Sequence, residues 1–316
     1  MYVNNNVLTI VSRNSNLALA QARLVQQHLQ SLYPDLKSEI LGITTKGDQL
    51  LDQNLTKIGG KGLFVKELEN YLLDGKADIA VHSMKDVPAA LPTGLVIGAI
   101  LARADPRDVL VSENFTNLQQ IPLGSIVGTS SLRRQAQVLA LRPDLTIRSL
   151  RGNVETRLRK LHAGDYSAII LAAAGLERLG LVQWLHNPLS IEDMLPAVGQ
   201  GALGIEYRAD NPAISELITP LNHAATAQCV LAERAMNAKL DGGCQAPIAG
   251  YATISNSILK IQGLVAAPNG QFIYSAVQSG NIADAVVLGE KVASQLAALG
   301  ALDIIASLKL RGPADD

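Results

Sequence analysis

Short apolar segments alternate with helical patterns through the first two-thirds of the chain, and this alternation most constrains its fold. Residues 7–12, 39–44 and 77–81 are strand-like, whereas 17–32 and 62–73 have the apolar spacing of helices. The same order restarts near Pro106, with strand-like segments at 125–128, 146–150 and 168–173. Because sheets and helices must each bury an apolar face, such alternation predicts an α/β fold. Its repetition predicts two lobes around a cleft, with ligand-binding residues at the carboxyl ends of strands.

From about Asn222 the pattern changes to that of a smaller C-terminal domain. Its expected elements are a helix at 224–240, alternating strands at 258–265 and 272–277, and a final helix at 283–299. Pro268, Asn269 and Gly270 supply a hairpin turn between the two strands. These features predict a small α+β domain with an antiparallel sheet.

Composition narrows the classes of function. The 316 residues are 48% hydrophobic and carry a formal net charge of −1, which permits two or three domains but supplies no overall basic field for nucleic acid. The first ten residues lack the basic and apolar regions of a signal peptide, and no apolar run is long enough to span a bilayer. We therefore expect a soluble, cytoplasmic protein with no nucleic-acid or membrane partner. The two cysteines imply no disulfide framework, and the five histidines lack metal-ligand spacing, so no metal site is expected.

Cations are concentrated in one part of this nearly neutral chain. The segment 133–160 contains Arg133, Arg134, Arg142, Arg148, Arg151, Arg157, Arg159 and Lys160, opposed by Asp144 and Glu155. Such a local excess predicts a specific anionic ligand. The alternative explanation is a pair of solvated basic helix faces.

The run Gly128-Thr129-Ser130-Ser131-Leu132-Arg133-Arg134 is the more specific candidate for anion binding. A strand that leads through hydroxyl residues into a helix points several N–H groups at one spot. Paired arginines add two planar forks suited to carboxylates. A helix cap alone would explain the hydroxyls but not the arginines. The run Ser12-Arg13-Asn14-Ser15 repeats the arrangement in the first lobe.

Two side chains are candidates for chemistry. Asp86 follows a predicted strand end and precedes a proline turn, where it is either a surface aspartate or a carboxylate that stabilises a cation or moves a proton. Cys244 follows two glycines and precedes a proline turn, where it is either an ordinary loop thiol or an accessible nucleophile. The Gly-rich loop from Lys57 to Gly62 lacks P-loop spacing and is consistent with a mobile loop over a site.

Taken in order along the chain, these motifs resemble those of the porphobilinogen deaminase family, also called hydroxymethylbilane synthases. The matching stretches are 59–64, 80–88, 127–134, 149–154, 196–201 and 242–244, and they cover nearly the whole chain. The resemblance implies two type II periplasmic-binding-protein-like domains around a cleft and a small C-terminal α+β domain. The expected boundaries are 1–103 with 201–219 for domain 1, 104–200 for domain 2 and 220–316 for domain 3.

The resemblance also implies a transferase of tetrapyrrole and heme biosynthesis. Such an enzyme joins four porphobilinogen molecules head to tail, each with loss of ammonia, and water then releases linear hydroxymethylbilane. It carries a dipyrromethane cofactor on a thioether, here expected at Cys244, with Asp86 as the catalytic carboxylate. The residues implied in cofactor binding are Ser83, Lys85, Asp86, Thr129, Ser131, Arg133 and Arg134, and those implied in substrate binding are Arg13, Ser15, Gln21, Lys57, Arg151, Arg157 and Arg178. No metal is implied, and a monomer is expected.

Two other functions stay open from the residues alone. A non-catalytic two-lobed binding protein could close on a small anionic ligand, although it would not need a glycine-flanked thiol on a third domain. An acyl or phosphoryl transferase could use Cys244 as its nucleophile, but no histidine is placed convincingly as its base. Substitution separates these functions, because the deaminase needs both Asp86 and Cys244.

Overall fold

A computed structural model describes residues 7–45, 65–242 and 246–310 of the chain. The chain divides into two compact units, Met1–Ala104 with Ala202–Ala227 and Asp105–Gly201 with Gln228–Asp316. The predicted Gly-rich loop, including Lys57, lies outside the described residues, as does Cys244. Each unit contains a mixed sheet, and the second unit also contains a small antiparallel sheet.

The first unit is built on a five-stranded sheet. Its strands are β1 (Val7–Arg13), β2 (Lys37–Ile43), β3 (Ile79–Ser83), β4 (Leu95–Ile100) and β9 (Leu203–Arg208), in the order β2-β1-β3-β9-β4. The strand β1 is parallel to β2 and β3, whereas β9 is antiparallel to its neighbours β3 and β4. The strand β9, which comes late in the chain, therefore lies between the early strands β3 and β4.

Helices cover both faces of this sheet. They are α1 (Asn16–Leu32), α2 (Lys66–Leu73) and α6 (Pro212–Ile218). Ile10 of β1 shares a core with Val25 of α1 and Leu217 of α6, while the next residue, Val11, packs with Leu68 of α2. Successive side chains of a strand point to opposite faces, so both faces of the parallel strands are buried, as the apolar runs in the sequence require.

The second unit repeats this arrangement on a smaller scale. Its strands β5 (Asp108–Val111), β6 (Ile126–Gly128), β7 (Thr146–Arg148) and β8 (Ala168–Ala172) follow the order β5-β8-β6-β7. The strand β6 is parallel to β7 and β8, and β5 is antiparallel to β8. The helices α3 (Leu132–Leu141), α4 (Val154–His162) and α5 (Ala173–Arg178) follow β6, β7 and β8 in turn.

The C-terminal part of the second unit is an antiparallel meander with helices. Its elements are α7 (Ala224–Lys239, in which the boundary between the units falls after Ala227), β10 (Ile248–Ser255), β11 (Ile258–Ala266), β12 (Ile273–Asn281), α8 (Ala285–Ala298) and α9 (Ala301–Leu310). The predicted hairpin turn is present, and Gly270 has a φ of +73° there. A Cβ on Gly270 would lie 2.5 Å from the Ala140 nitrogen of α3. Glycine is therefore needed both for the turn and for its close approach to α3.

The predicted fold class is confirmed, with two α/β sheets and a small α+β part that contains an antiparallel sheet. The strand β3 extends two residues beyond its predicted end, because His82 and Ser83 still pair with Gly204 and Leu203 of β9. The sequence analysis did not identify β4, β5 or β10, and the three-domain boundaries stay a prediction. In the part of the chain described, no single helix is long and apolar enough to cross a membrane, although the bent pair Ile282–Ala298 and Ala301–Leu308 meets the criterion jointly by length and composition.

Candidate active site

Several predicted site residues lie at the carboxyl edge of the first sheet. Arg13 ends β1 and Ser83 ends β3, and these two strands are parallel neighbours. Ser15 caps α1, where its hydroxyl accepts a 3.3 Å hydrogen bond from the Ala18 N–H. Gln21, buried on α1, donates from Nε2 to the Ser83 hydroxyl at 2.8 Å. The structure therefore brings Gln21 and Ser83 into direct contact, beside the strand end that carries Arg13.

Asp86 lies in a 3-10 turn, Met84–Asp86, that directly follows β3. Met84 and Val87 are buried on either side of it, Lys85 is half-buried and Asp86 is exposed. The Met84 N–H donates to the Ala202 carbonyl at 3.0 Å. Because the turn is anchored at both ends, the Asp86 carboxylate is presented to solvent from a fixed backbone. Such a carboxylate can accept a hydrogen bond from a ligand N–H and stabilise a nearby cation.

A second acidic group is buried behind this edge. His82 Nε2 and Glu206 Oε2 are 2.7 Å apart, and both side chains are almost fully buried. Burial, followed by the charge of Glu206, raises the pKa of the nearby Glu69 on α2. The other oxygen of Glu206, Oε1, is buried without a hydrogen-bond partner among the described residues. The carboxyl groups of Glu69 and Glu206 and the imidazole of His82 thus form a buried cluster.

The corresponding edge of the second sheet carries the predicted hydroxyl run. Ser131 caps α3 by accepting from the Arg134 N–H at 3.4 Å, and the Thr129 hydroxyl accepts from the Ser131 N–H at 3.1 Å. The predicted start of a helix near Leu132 is confirmed. Both hydroxyls serve the cap, so the local structure explains them without a ligand, as the alternative explanation proposed.

Arg133 and Arg134 point into the second unit and are nearly buried. Their Nη2 atoms donate to the two oxygens of Asp108, each at 2.7 Å. Their Nη1 atoms donate to the carbonyls of Leu195 and Ile170, at 2.7 and 2.8 Å. Although burial alone would raise it, the two guanidinium groups hold the pKa of the Asp108 carboxyl well below its usual range. Burial lowers the pKa of Arg133.

The cluster of Arg133, Arg134 and Asp108 has a net positive charge. Two guanidinium groups face one carboxylate, so the three side chains of Arg133, Arg134 and Asp108 sum to +1. In addition, Arg134 Nε is buried and lacks a hydrogen-bond partner within the described ranges. A buried donor and an uncompensated cation both favour an anionic ligand, and the carboxylates of the implied cofactor fit that requirement.

The remaining arginines lie on nearby loops and helix ends of the second unit. Arg178 ends α5 and donates to the Gly201 carbonyl at 2.7 Å, and burial lowers its pKa to about 10. Arg157 Nε donates to the Gly152 carbonyl at 2.9 Å, and Arg151 Nε lies 3.5 Å from the Ser149 hydroxyl. All three arginines are half-buried. Their guanidinium groups are therefore partly shielded from water, which strengthens their attraction for carboxylates.

The sequence analysis missed Asp108, Gln200 and Glu206. Asp108 opens β5, Gln200 donates from Nε2 to Asp108 Oδ1 at 2.9 Å, and Glu206 lies within β9. An available signal was the acidic residue inside an apolar strand-like run, as in 108–111 and 203–208, since such residues are rarely buried unless paired. Which ligand each predicted site residue binds stays a prediction, and Lys57 and Cys244 lie outside the described residues.

Solved structures with a similar fold include periplasmic binding proteins. The methionine-binding protein MetQ is 13% identical, with 68% of this chain and 89% of MetQ covered and a TM-score of 0.43. A periplasmic substrate-binding protein of an ABC transporter from Coxiella burnetii is 14% identical, with 70% and 94% covered and a TM-score of 0.42. The strand order of the two mixed sheets, described above, defines the fold.

Sequence relatives are much closer. Porphobilinogen deaminase of Chromobacterium violaceum is 53% identical over 301 residues, covering 95% of this chain and 97% of that protein. Porphobilinogen deaminase of Paraburkholderia phymatum is 53% identical over 311 residues, covering 97% and 95%. The family model described as porphobilinogen deaminase, dipyromethane cofactor binding domain, matches residues 8–216, and that of the porphobilinogen deaminase C-terminal domain matches residues 227–298. With both models matched in order and half of its residues shared with these relatives, the chain belongs to the porphobilinogen deaminase family.

Proposed function

We propose that this protein is a porphobilinogen deaminase, a transferase that condenses four porphobilinogen molecules head to tail, with loss of four ammonia molecules, into a linear tetrapyrrole that water releases as hydroxymethylbilane. The observation that carries this proposal is the 53% identity to a porphobilinogen deaminase over 95% of the chain. The covalent dipyrromethane cofactor, attached through a thioether at Cys244, supplies the pyrrole end from which the product chain grows.

Asp86 is the proposed catalytic residue. Porphobilinogen loses ammonia from its aminomethyl group and becomes an electrophile whose positive charge is shared with the pyrrole nitrogen. A fixed carboxylate that accepts a hydrogen bond from that N–H stabilises the cation more than it stabilises the neutral ring. The anchoring of the Met84–Asp86 turn supports this role, because a preorganised group need not reorient during the reaction.

Carboxylate recognition is the proposed role of the cationic residues. Each porphobilinogen ring carries an acetate and a propionate, so two cofactor rings and four substrate rings bring about twelve carboxylates, each suited to charge-assisted hydrogen bonds. The proposed cofactor-binding residues are Ser83, Lys85, Asp86, Thr129, Ser131, Arg133 and Arg134. The proposed substrate-binding residues are Arg13, Ser15, Gln21, Lys57, Arg151, Arg157 and Arg178. The spare positive charge of the Asp108 cluster and the half-buried Arg178 support this assignment.

The proposal also includes the three domains stated above, a cytoplasmic location and a monomeric state. Light scattering on a size-exclusion column measures the monomer directly, and cell fractionation tests the location. A dimer mass at low micromolar concentration would correct that part of the proposal without touching the chemistry.

The first test is the intact mass of the purified protein beside its Cys244→Ser variant. We expect the wild-type chain to exceed its sequence mass by two linked pyrrole units, and the variant to show no stable excess because it lacks the thiol that forms the thioether. A wild-type chain with no excess, even after incubation with porphobilinogen, would favour the non-catalytic anion-binding alternative.

The second test is Asp86→Asn, which keeps the size of the side chain but removes its charge. We expect turnover of porphobilinogen to fall by about 10²- to 10³-fold, since a preorganised electrostatic contact to the cation is lost. Circular dichroism should remain that of the wild type, because Asp86 is exposed. Wild-type turnover by this variant would remove Asp86 from the mechanism.

A further inference from the structure

Asp108 is the shared partner of the two most buried arginines of the predicted site. It is the first residue of β5 and is completely buried, while Arg133 and Arg134 are successive residues at the start of α3. Each Asp108 oxygen accepts a 2.7 Å hydrogen bond from one of the two guanidinium groups. Successive residues on a helix normally diverge by about 100°, so this one carboxylate holds side by side two forks that would otherwise point apart.

The segment from Leu195 to Gly201 completes the arrangement. Its Leu195 carbonyl accepts from Arg133 and its Gly201 carbonyl accepts from Arg178, both at 2.7 Å. Between them, Gln200 Nε2 donates to Asp108 Oδ1 at 2.9 Å. One short segment therefore orients Arg133 and Arg178 directly and Asp108 through an amide.

This segment is itself fixed by a buried acid. Glu233 of α7 is fully buried, and its oxygens accept from the Gly199 and Ala252 N–H groups at 2.7 and 2.8 Å. Ala252 lies on β10, so the same carboxylate joins the segment to the antiparallel sheet. Hydrogen bonds to Glu233 thus fix the segment that contacts Asp108 to both α7 and β10.

Stability alone does not account for the composition of this cluster. Moving an ion out of water is costly, and a well-packed apolar residue is often at least as stabilising as a buried ion pair. A second buried guanidinium, with a total charge of +1 and an unpartnered Nε on Arg134, increases that cost further. A cluster that retains such a group is suited to receiving an anion.

We propose that Asp108 is a positioning residue, which aligns Arg133 and Arg134 so that their uncompensated positive charge holds one carboxylate of the dipyrromethane cofactor. The inference rests on the proposed function, because it concerns the cofactor that the function requires. In this role Asp108 acts through the two arginines and needs no contact of its own with cofactor or substrate.

The test compares cofactor loading in chains that differ at Asp108. Asp108→Glu keeps the charge but lengthens the side chain by one methylene, which displaces both forks, while Asp108→Asn removes the charge. Matched controls are Asp144→Glu and Asp144→Asn, since Asp144 forms a two-point pair with Arg142 just beyond the other end of α3, where it is more exposed. Intact mass gives the share of full-length chains that carry the two-pyrrole excess as purified, and the rate at which the rest gain it from porphobilinogen.

We expect Asp108→Glu to melt cooperatively and to gain the cofactor mass about tenfold to a hundredfold more slowly than wild type, as for a misplacement near 1 Å. Asp108→Asn should load more slowly still, and the Asp144 controls should load as wild type does. Wild-type loading by a folded Asp108→Glu chain would overturn the proposal. A purely structural role would lower the melting temperature and leave the loading rate of the folded fraction unchanged, which would overturn it equally.

A double-substitution cycle checks that Asp108 acts through the arginines. Arg134→Lys keeps the charge but loses the fork and its Nε, so this single change should also slow loading. In the Arg134→Lys background, Asp108→Glu should add little to the loss, because residues of one network are not additive. Full additivity, or normal loading by Arg134→Lys, would contradict the proposal, and the latter measurement serves even if no Asp108 variant folds. The wild-type mass is the separate control on function: if wild type never carries the cofactor, the proposed function fails and this inference fails with it.

Discussion

The two mixed sheets place a buried carboxylate on the same topological strand but pair it differently. In the first unit, Glu206 lies on β9, the antiparallel neighbour of β3, and contacts His82. In the second, Asp108 lies on β5, the antiparallel neighbour of β8, and contacts Arg133 and Arg134. The same strand of the scaffold can therefore hold a buried carboxylate with an imidazole or with permanently charged guanidinium groups.

The two carboxylates also differ in how fully they are satisfied. Both oxygens of Asp108 are held by guanidinium groups, whereas Glu206 Oε1 has no hydrogen-bond partner in the described part of the chain. Arg134 Nε of the second unit is, by contrast, a buried donor without a hydrogen-bond partner in the described part of the chain. The Asp108 cluster is therefore suited to an anion, whereas Glu206 Oε1 is suited to a hydrogen-bond donor.

Removal of the Asp108 side chain should produce the largest change in stability. Asp108→Ala leaves two guanidinium groups buried without their anion, so the free energy of unfolding should fall by about 3–5 kcal/mol. Urea denaturation followed by circular dichroism measures the loss. As a control, Asp144→Ala breaks a partly exposed pair, whose arginine still donates to the Ile121 carbonyl, and should shift the curve less. Equal shifts for the two variants would mean that the buried charges are not specially sensitive.

Glu206→Gln should have a smaller effect in the first unit. The amide can still hydrogen-bond to the His82 ring, and no guanidinium group loses a partner. We expect the free energy of unfolding to fall by about 1–3 kcal/mol, the cost of a poorly satisfied buried polar group. The same denaturation experiment measures it, with Asp108→Ala alongside. A loss as large as that of Asp108→Ala would erase the proposed difference between the two carboxylates.

The stability contributed by Asp108 and by Glu69 should depend on pH with opposite signs. The folded pKa of Asp108 lies below its ordinary value of 3.8, so its contribution to stability is complete above that pH and is lost as the pH falls below it. The penalty of Asp108→Asn, measured as a melting-temperature difference, should therefore be constant from pH 5 to 8 and shrink below about pH 4. A penalty that changes between pH 5 and 8 would contradict this.

Glu69 should show the smallest effect and the opposite sign. Its folded pKa is raised above the ordinary value of 4.5, mainly by burial and then by Glu206, with His82 and Lys66 opposing. Between pH 4.5 and the higher folded pKa, the folded state therefore holds a proton that the unfolded state releases. The free energy of unfolding falls as the pH rises through this interval. Glu69→Gln should abolish this decline, so that the variant gains on wild type between pH 4.5 and 7. Parallel melting curves at all pH values would count against the raised pKa.

Much of the edge geometry could be predicted from the sequence, because it depends on neighbours along the chain. Ser131 as a helix cap and Asp86 shortly after a strand follow from local patterns. The role of Asp108 could not, since its partners lie 25 and 26 residues away and meet it only through the packing of α3 on the sheet. The polar residues His82 and Ser83 also concealed the true end of β3, because their pairing with β9 depends on a strand about 120 residues later.

The placement of β9 has a consequence for how the protein is made. This strand separates β3 from β4, yet it is translated after the whole of 105–201. On the ribosome, the four strands described in the first 104 residues cannot form one continuous sheet, because β9, which joins β3 to β4, does not yet exist. Contacts with such large sequence separation slow folding, and exposed strand edges favour association with other chains. The nascent N-terminal part should therefore need protection until residue 208 emerges, whereas 105–201 already holds every strand of its own mixed sheet.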